Sequence, residues 1–77
     1  MTSVWIVSRG EQYEGSTIIG VFAREKDAQM FALSKVKSYS IDEKVSYVEP
    51  NRYIAGIDYW VWREYEIMEG IKDAHNS

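Results

Sequence analysis

The stretch Asp58-Tyr-Trp-Val-Trp-Arg-Glu-Tyr-Glu-Ile-Met68 decides the fold. Alternate residues of a β-strand share a face. One face of this predicted strand carries Tyr59, Val61, Arg63, Tyr65 and Ile67, and the other carries Trp60, Trp62, Glu64, Glu66 and Met68. Bulky side chains therefore occupy both faces. A strand in a small two-layer domain needs only one such face, so something must cover the other.

Upstream of this strand, the sequence predicts a hairpin followed by a helix. Val4–Ser8 is rich in β-branched residues, and Thr17–Ala23 is apolar on both faces, which is typical of strands. Arg9–Ser16 carries turn residues and two glycines, so it is the expected loop between them. Gly20 inside the second strand indicates a bulge or a close approach by another element.

Arg24–Ser38 has the period of an amphipathic helix. Met30 lies on the polar side. The predicted core side carries Ala28, Phe31, Ala32, Lys35, Val36 and Tyr39, with Leu33 at its margin.

Residues 40–57 are the least regular part of the chain. Val45–Glu49 alternates well enough for a short strand, Pro50 ends it because proline cannot donate to a ladder, and Asn51–Gly56 turns into the last strand. The order strand, strand, helix, strand, strand predicts one α+β domain over residues 1–68, in which a two-layer antiparallel sheet packs one helix on one face. Residues 69–77 are expected to form a flexible tail.

One helix covers one face of the sheet, so the faces must be assigned. Two carboxylates beneath a helix would be costly to bury, so Glu64 and Glu66 favour placing the Val61 face against the helix. That choice sends Trp60 and Trp62 to the open side. Three alternatives remain. Residues 40–57 cover the tryptophans through Ile41, Val48, Tyr53 and Ile54, or a protein partner covers them, since exposed apolar patches and tryptophan mark interfaces. In the third, the two faces are the other way round and the tryptophans lie beneath the helix.

Composition excludes several classes of function. The chain has 77 residues, no cysteine, one histidine (His75) and a net charge of −3, so a thiolate metal site and histidine-based nucleophilic catalysis are excluded. The absence of a signal-peptide pattern and of a membrane-length apolar run predicts a cytoplasmic protein without a membrane partner. No cofactor motif is present, and we expect no enzymatic activity.

The carboxylates suggest contacts rather than chemistry. Glu11 and Glu14 flank the tip of the predicted hairpin loop, where they are either solvated, with Glu14 paired to an arginine, or a polar contact for a partner. Glu64 and Glu66 lie about 7 Å apart along one strand face by strand geometry, but no further group joins them for catalysis. The predicted partner-binding residues are therefore Trp5, Glu11, Glu14, Trp60 and Trp62, with no catalytic and no metal-binding residues.

Three segments resemble a family of small uncharacterised domains of bacteria and their phages: Val4-Trp-Ile-Val-Ser-Arg-Gly-Glu-Gln-Tyr-Glu-Gly15, Ile19-Gly-Val-Phe-Ala-Arg-Glu-Lys-Asp-Ala28 and Trp62-Arg-Glu-Tyr-Glu-Ile67. The shared features are a Tyr-Glu-Gly loop, a Gly-Val-Phe strand, a helix opening in Glu-Lys-x-Ala and an acidic-aromatic last strand. The resemblance spans residues 4–67, but Trp60 and Pro50–Gly56 are not part of the pattern. It implies a phage or mobile-element setting and no particular chemistry.

The sequence therefore predicts a non-enzymatic protein-interaction module that binds a host protein or a second copy of itself. A small-ligand or nucleotide binder, with its pocket between the open face and residues 40–57, is the first alternative. A nucleic-acid binder using tyrosines with Lys35, Lys37 and Lys44 is the weaker one, because the chain lacks a basic face.

Overall fold

The computed structural model describes residues 2–39 and 44–67. These residues form β1 (Thr2–Glu11), β2 (Ser16–Phe22), α1 (Glu25–Tyr39), β3 (Val45–Val48), β4 (Arg52–Ala55) and β5 (Asp58–Ile67). The strands make one sheet in the order β2-β1-β5-β4-β3, and all neighbouring strands are antiparallel. The predicted α+β class, an antiparallel sheet with one helix packed against it, is confirmed. The sheet has one strand more than predicted, and the expected tail, residues 69–77, lies outside the described residues.

The additional strand is β4, which falls in the segment predicted to be a turn. Residues 45–55 form the β3–β4 hairpin, and β4 then pairs with β5. Asn51 supplies the left-handed backbone of this hairpin's turn (φ 57°), and its N–H donates to the Tyr47 hydroxyl at 3.2 Å. The segment thus widens the sheet in its own plane. The alternative in which it folds across a sheet face is wrong for residues 44–57.

The core lies between α1 and the face of the sheet that carries the tryptophans. Ala28, Ala32 and Val36 of α1 are fully buried against it, as the helical period predicted. Trp60 and Trp62 are each 1% exposed. Small side chains on the helix let it approach the sheet closely, while the sheet supplies the bulky groups that fill the layer.

The predicted assignment of the two sheet faces is wrong. Trp60 and Trp62 lie beneath α1 rather than in the open, and Trp5 packs partly buried against the same core. Conversely, Tyr65 and Ile67, which were expected in the core, are 49% and 46% exposed.

The reason for the error is the length of β5. Its first half, Asp58–Trp62, is largely buried, whereas every residue of Arg63–Ile67 is exposed. Glu64 and Glu66 therefore share the tryptophan face but lie beyond the part that α1 covers. Glu64 stays solvated and accepts a hydrogen bond from the Ser3 hydroxyl at 2.7 Å. The desolvation cost that argued against this face does not arise.

Gly20 fulfils both roles that the sequence indicated. The pairing of β1 with β2 shifts between Val7 and Ser8, so that Ile19 is an extra residue in β2. This bulge turns Ile19 toward the core. A Cβ on Gly20 would lie 2.7 Å from the Phe22 ring and 3.0 Å from the Phe31 ring, so glycine allows the helix to close on β2.

Candidate functional site

The face of the sheet turned away from α1 is the main candidate site, and we call it the open face. The strand registers identify its members, because directly paired residues of neighbouring strands lie on the same face and so do every second residues along one strand. Within residues 2–39 and 44–67, no element packs on it. The open face consists of Thr2, Val4, Ile6, Ser8, Gly10, Ser16, Ile18, Val21, Ser46, Val48, Arg52, Ile54, Tyr59, Val61, Arg63, Tyr65 and Ile67.

Every strand contributes apolar side chains to the open face, where they alternate with serines and arginines. Ile18 of β2 pairs with Ser8 of β1, which pairs with Val61 of β5. The neighbouring row joins Val21 to Ile6. Ile18 and Val21 are 60% and 57% exposed. Exposed apolar side chains gathered on one sheet face in this way indicate a contact surface.

The charge on the open face is of one sign. Arg52 and Arg63 are its only ionisable side chains apart from tyrosines, and none of its described members is a carboxylate. The chain as a whole carries −3. The open face is therefore locally cationic on an acidic protein, and we expect it to attract anionic groups.

A cleft of about 170 Å³ lies in the middle of the open face. Val61, which is only 8% exposed, and Ile6 belong to its lining, together with Tyr65 and the two arginines. Its volume is close to that of a cavity able to hold a benzene-sized group, about 150 Å³. The cleft can therefore admit one side chain of a partner.

Tyr59 borders one end of this cleft and owes its position to a glycine. A Cβ on Gly10 would lie 2.5 Å from the Tyr59 hydroxyl oxygen, so the ring lies across the backbone of β1. The Arg52 guanidinium stands over the same ring, 5.3 Å from its centroid. This cation–π contact holds Arg52 beside the cleft while leaving its N–H groups available to a ligand.

A second concave site, which we call the edge groove, lies between α1 and the other face of the sheet. It encloses about 370 Å³ and is lined mainly by Ile19, Phe31, Lys35, Tyr39, Trp60 and Arg9. The Lys35 ammonium lies 5.2 Å from the centroid of the Phe31 ring. Aromatic walls with one lysine resemble a small-molecule site in composition.

Arg9 at the end of the edge groove has a structural task. Its Nη2 lies 2.9 Å from Oδ1 of Asp58 and 3.9 Å from Oε2 of Glu11. The guanidinium also stands 4.5 Å from the Tyr39 ring and 5.7 Å from the Trp60 ring. Asp58 is 6% exposed, so Arg9 supplies the counter-charge that permits a carboxylate to be buried there.

The five residues predicted to bind a partner do not form one surface. Trp60 and Trp62 are buried in the core and Trp5 packs against it, so they do not provide the exposed anchor that the sequence analysis assigned to them. Glu11 contacts Arg9, while Glu14 is exposed in the hairpin loop. The open face was missed because its β5 residues had been assigned to the core. Arg63 lies among these β5 residues, and its charge was the sequence signal that this face is exposed.

Three further features of the described part of the chain concern metal sites, membrane spans and unpaired buried polar groups. No group of three or more potential metal-ligating side chains occurs among residues 2–39 and 44–67. No helix in those ranges is long and apolar enough to span a bilayer. The Trp62 indole N–H is buried without an acceptor among the described atoms.

No protein-family model, curated protein or solved structure matches the chain. The resemblance noted in the sequence analysis therefore stays a prediction.

Proposed function

We propose that this protein is a non-enzymatic interaction module that binds another protein through the open face. The observation that supports the proposal is a sheet face without a covering element among the described residues, opposite the described helix, on which exposed isoleucine, valine and tyrosine side chains surround Arg52 and Arg63. Burying such a surface in a complex releases water from exposed isoleucine, valine and tyrosine side chains, which favours association.

A different protein is the favoured partner over a second copy of this chain. Two open faces packed together would place the arginines of both copies in one interface without a carboxylate on either side. Uncompensated like charges disfavour such a complex. A partner that brings acidic groups avoids this cost, and the cationic character of the face supports it.

The biological setting belongs to the proposal as well. The resemblance to small phage and bacterial domains supports an accessory protein of a phage or mobile element, acting in the cytoplasm on a host protein. The absence of cysteine fits a reducing compartment.

Site-directed photo-crosslinking tests the proposal. Val21 on the open face and Met30 on α1 are 57% and 58% exposed, so a photoreactive residue at either position meets solvent equally. In cells that naturally express the chain, we expect the Val21 position to give a discrete crosslinked product with another protein and the Met30 position to give none. Equal products from both positions, or none from Val21, would refute the open face as the interface. A product of twice the chain mass would refute the different partner.

Binding of a small anionic aromatic molecule is a second candidate, supported by the aromatic walls and Lys35 of the edge groove. Phenylacetate is a suitable probe, because it carries an aromatic ring and a carboxylate without emitting in the tryptophan range, and Trp60 in the groove reports binding through its fluorescence. We expect saturable quenching that Lys35→Ala weakens and that Lys37→Ala, an exposed change elsewhere on α1, leaves intact. Quenching that does not saturate, or that both variants share, would dismiss the site.

A further inference from the structure

We propose that the open face recognises an extended acidic segment of its partner, with carboxylates at positions i and i+2 that pair with Arg63 and Arg52. This inference rests on the proposed function, because it specifies the partner of the same surface. The expected ligand is a segment of a protein and not a nucleic acid.

The spacing of Arg52 and Arg63 matches the spacing of alternate side chains in an extended peptide. Arg52 pairs directly with Val61, and Arg63 is two residues further along β5 on the same face. Diagonal neighbours of this kind have Cα atoms about 7–8 Å apart. Side chains i and i+2 of an extended peptide are separated by about 7 Å. One extended segment can therefore present a carboxylate to each guanidinium.

The chemistry of the arginines carries the second step. A guanidinium offers N–H donors in a planar fork that matches a carboxylate, and such charge-assisted bonds are stronger than neutral ones. Among the described residues, neither Arg52 nor Arg63 forms an ion pair with a carboxylate. Both arginines line the same cleft, so a bound carboxylate would not have to displace an internal partner.

The surroundings of the cleft carry the third step, since they favour a peptide over a nucleic acid. Ile6 and Val61 are the aliphatic residues of a cleft whose exposed lining is otherwise largely polar, and the exposed Ile18 and Val21 lie beside it on β2. Aliphatic side chains of a peptide would cover this area. A nucleic-acid backbone carries a charge on every nucleotide and is normally met by a basic groove, whereas this face offers two cations.

Three synthetic peptides separate charge from spacing. Leu-Ser-Glu-Ser-Glu-Ser-Leu places both glutamates and both leucines on one side when extended. Leu-Ser-Gln-Ser-Gln-Ser-Leu removes the charge, and Leu-Ser-Glu-Glu-Ser-Ser-Leu keeps the composition but sends the glutamates to opposite sides. Binding to the full-length protein is followed by NMR titration of its backbone amides. We expect the first peptide to bind about tenfold more tightly than the other two, with shifts concentrated in β5 and β4.

Arg63→Gln should weaken binding of the first peptide about tenfold, and Arg24→Gln, an exposed arginine outside the sheet, should not. Added salt should weaken the interaction as well, because exposed charges are screened. Both variants alter exposed side chains, so circular dichroism should show the native fold.

Four outcomes would overturn the inference. They are equal binding of the glutamate and glutamine peptides, equal binding of the two glutamate peptides, no peptide binding at all, or tighter Arg63-dependent binding of a thymidine oligonucleotide. The first three leave the proposed function standing if the Val21 crosslink forms, so the two failures are distinguishable.

Discussion

The two faces of the sheet are built from the same strands but are used differently. The face beneath α1 holds Trp60 and Trp62, which are almost completely buried, and closes on the small residues of the helix. The open face holds β-branched residues, tyrosines and two arginines, several of them about half exposed. Bulky apolar side chains on a strand therefore do not reveal which side is the core. The element packed against them decides it.

The largest contrast between the faces is expected from truncating an aromatic side chain. Trp60→Ala removes a buried indole and should lower the free energy of unfolding by about 3–5 kcal/mol. Trp62→Ala should act in the same way, because Trp62 also packs against the Tyr53 ring at 5.2 Å between centroids. Chemical denaturation followed by circular dichroism measures the change.

Tyr65→Ala is the matched control on the open face and should cost less than about 1 kcal/mol, since Tyr65 is 49% exposed. Equal losses of unfolding free energy for Trp60→Ala and Tyr65→Ala would contradict the assignment of one face to the core and the other to solvent.

The arginines offer the next contrast. Arg9→Gln leaves the buried Asp58 carboxylate without its counter-charge. We expect a loss of about 2–3 kcal/mol, below the usual range for a fully buried pair because the Arg9 side chain is 30% exposed. Arg63→Gln removes the same charge from the open face and should change the free energy of unfolding by less than about 0.5 kcal/mol. Thermal and denaturant unfolding of the two variants measure both values, and a stabilised Arg9→Gln variant would contradict the account.

Two glycines test how tightly each face is packed. An alanine at Gly20 would push against the Phe22 ring and then against the Phe31 ring of the helix, and it should cost about 1–3 kcal/mol, the usual range for overpacking. An alanine at Gly10 meets first the far end of the Tyr59 side chain, which can swing outward into solvent, and then the Ser16 Cβ at 3.0 Å. We therefore expect Gly10→Ala to cost less than Gly20→Ala while changing the NMR signals of Tyr59. The reverse order of stability would place the tighter packing on the open face.

The smallest effect is expected at the rim of the open face. Ile18→Thr replaces a side chain that is 60% exposed, so the free energy of unfolding should change by no more than about 0.5 kcal/mol. The same substitution should reduce the yield of the Val21 photo-crosslink, because Ile18 belongs to the apolar patch. A large loss of stability without any effect on the crosslink would show that Ile18 serves the fold instead.

Most of the fold could be predicted from local patterns. The helical period around Ala28 identified the helix and its buried side. Gly20 indicated a bulge or a close approach by another element, and the structure has a bulge beside it and the Phe31 ring against it. These features depend on neighbours in the sequence. The strand β4 was missed, because Pro50 and Asn51 mark a turn without showing that Arg52–Ala55 pairs with β5.

The candidate surface could not be predicted because it depends on where the helix ends over the sheet. Strand alternation sorts the residues of β5 into two faces but does not say which face is covered. Glu64 and Glu66 suggested an exposed tryptophan face on the assumption that the helix spans the whole strand. The exposed second half of β5 shows that this assumption is wrong.

The most direct test of the face assignment is the accessibility of the buried tryptophans. In a Trp5→Phe variant only Trp60 and Trp62 contribute indole fluorescence. The account predicts emission at short wavelength that acrylamide quenches weakly until denaturant unfolds the chain. Long-wavelength emission with strong quenching in the folded protein would place the tryptophans on the solvent side and contradict it.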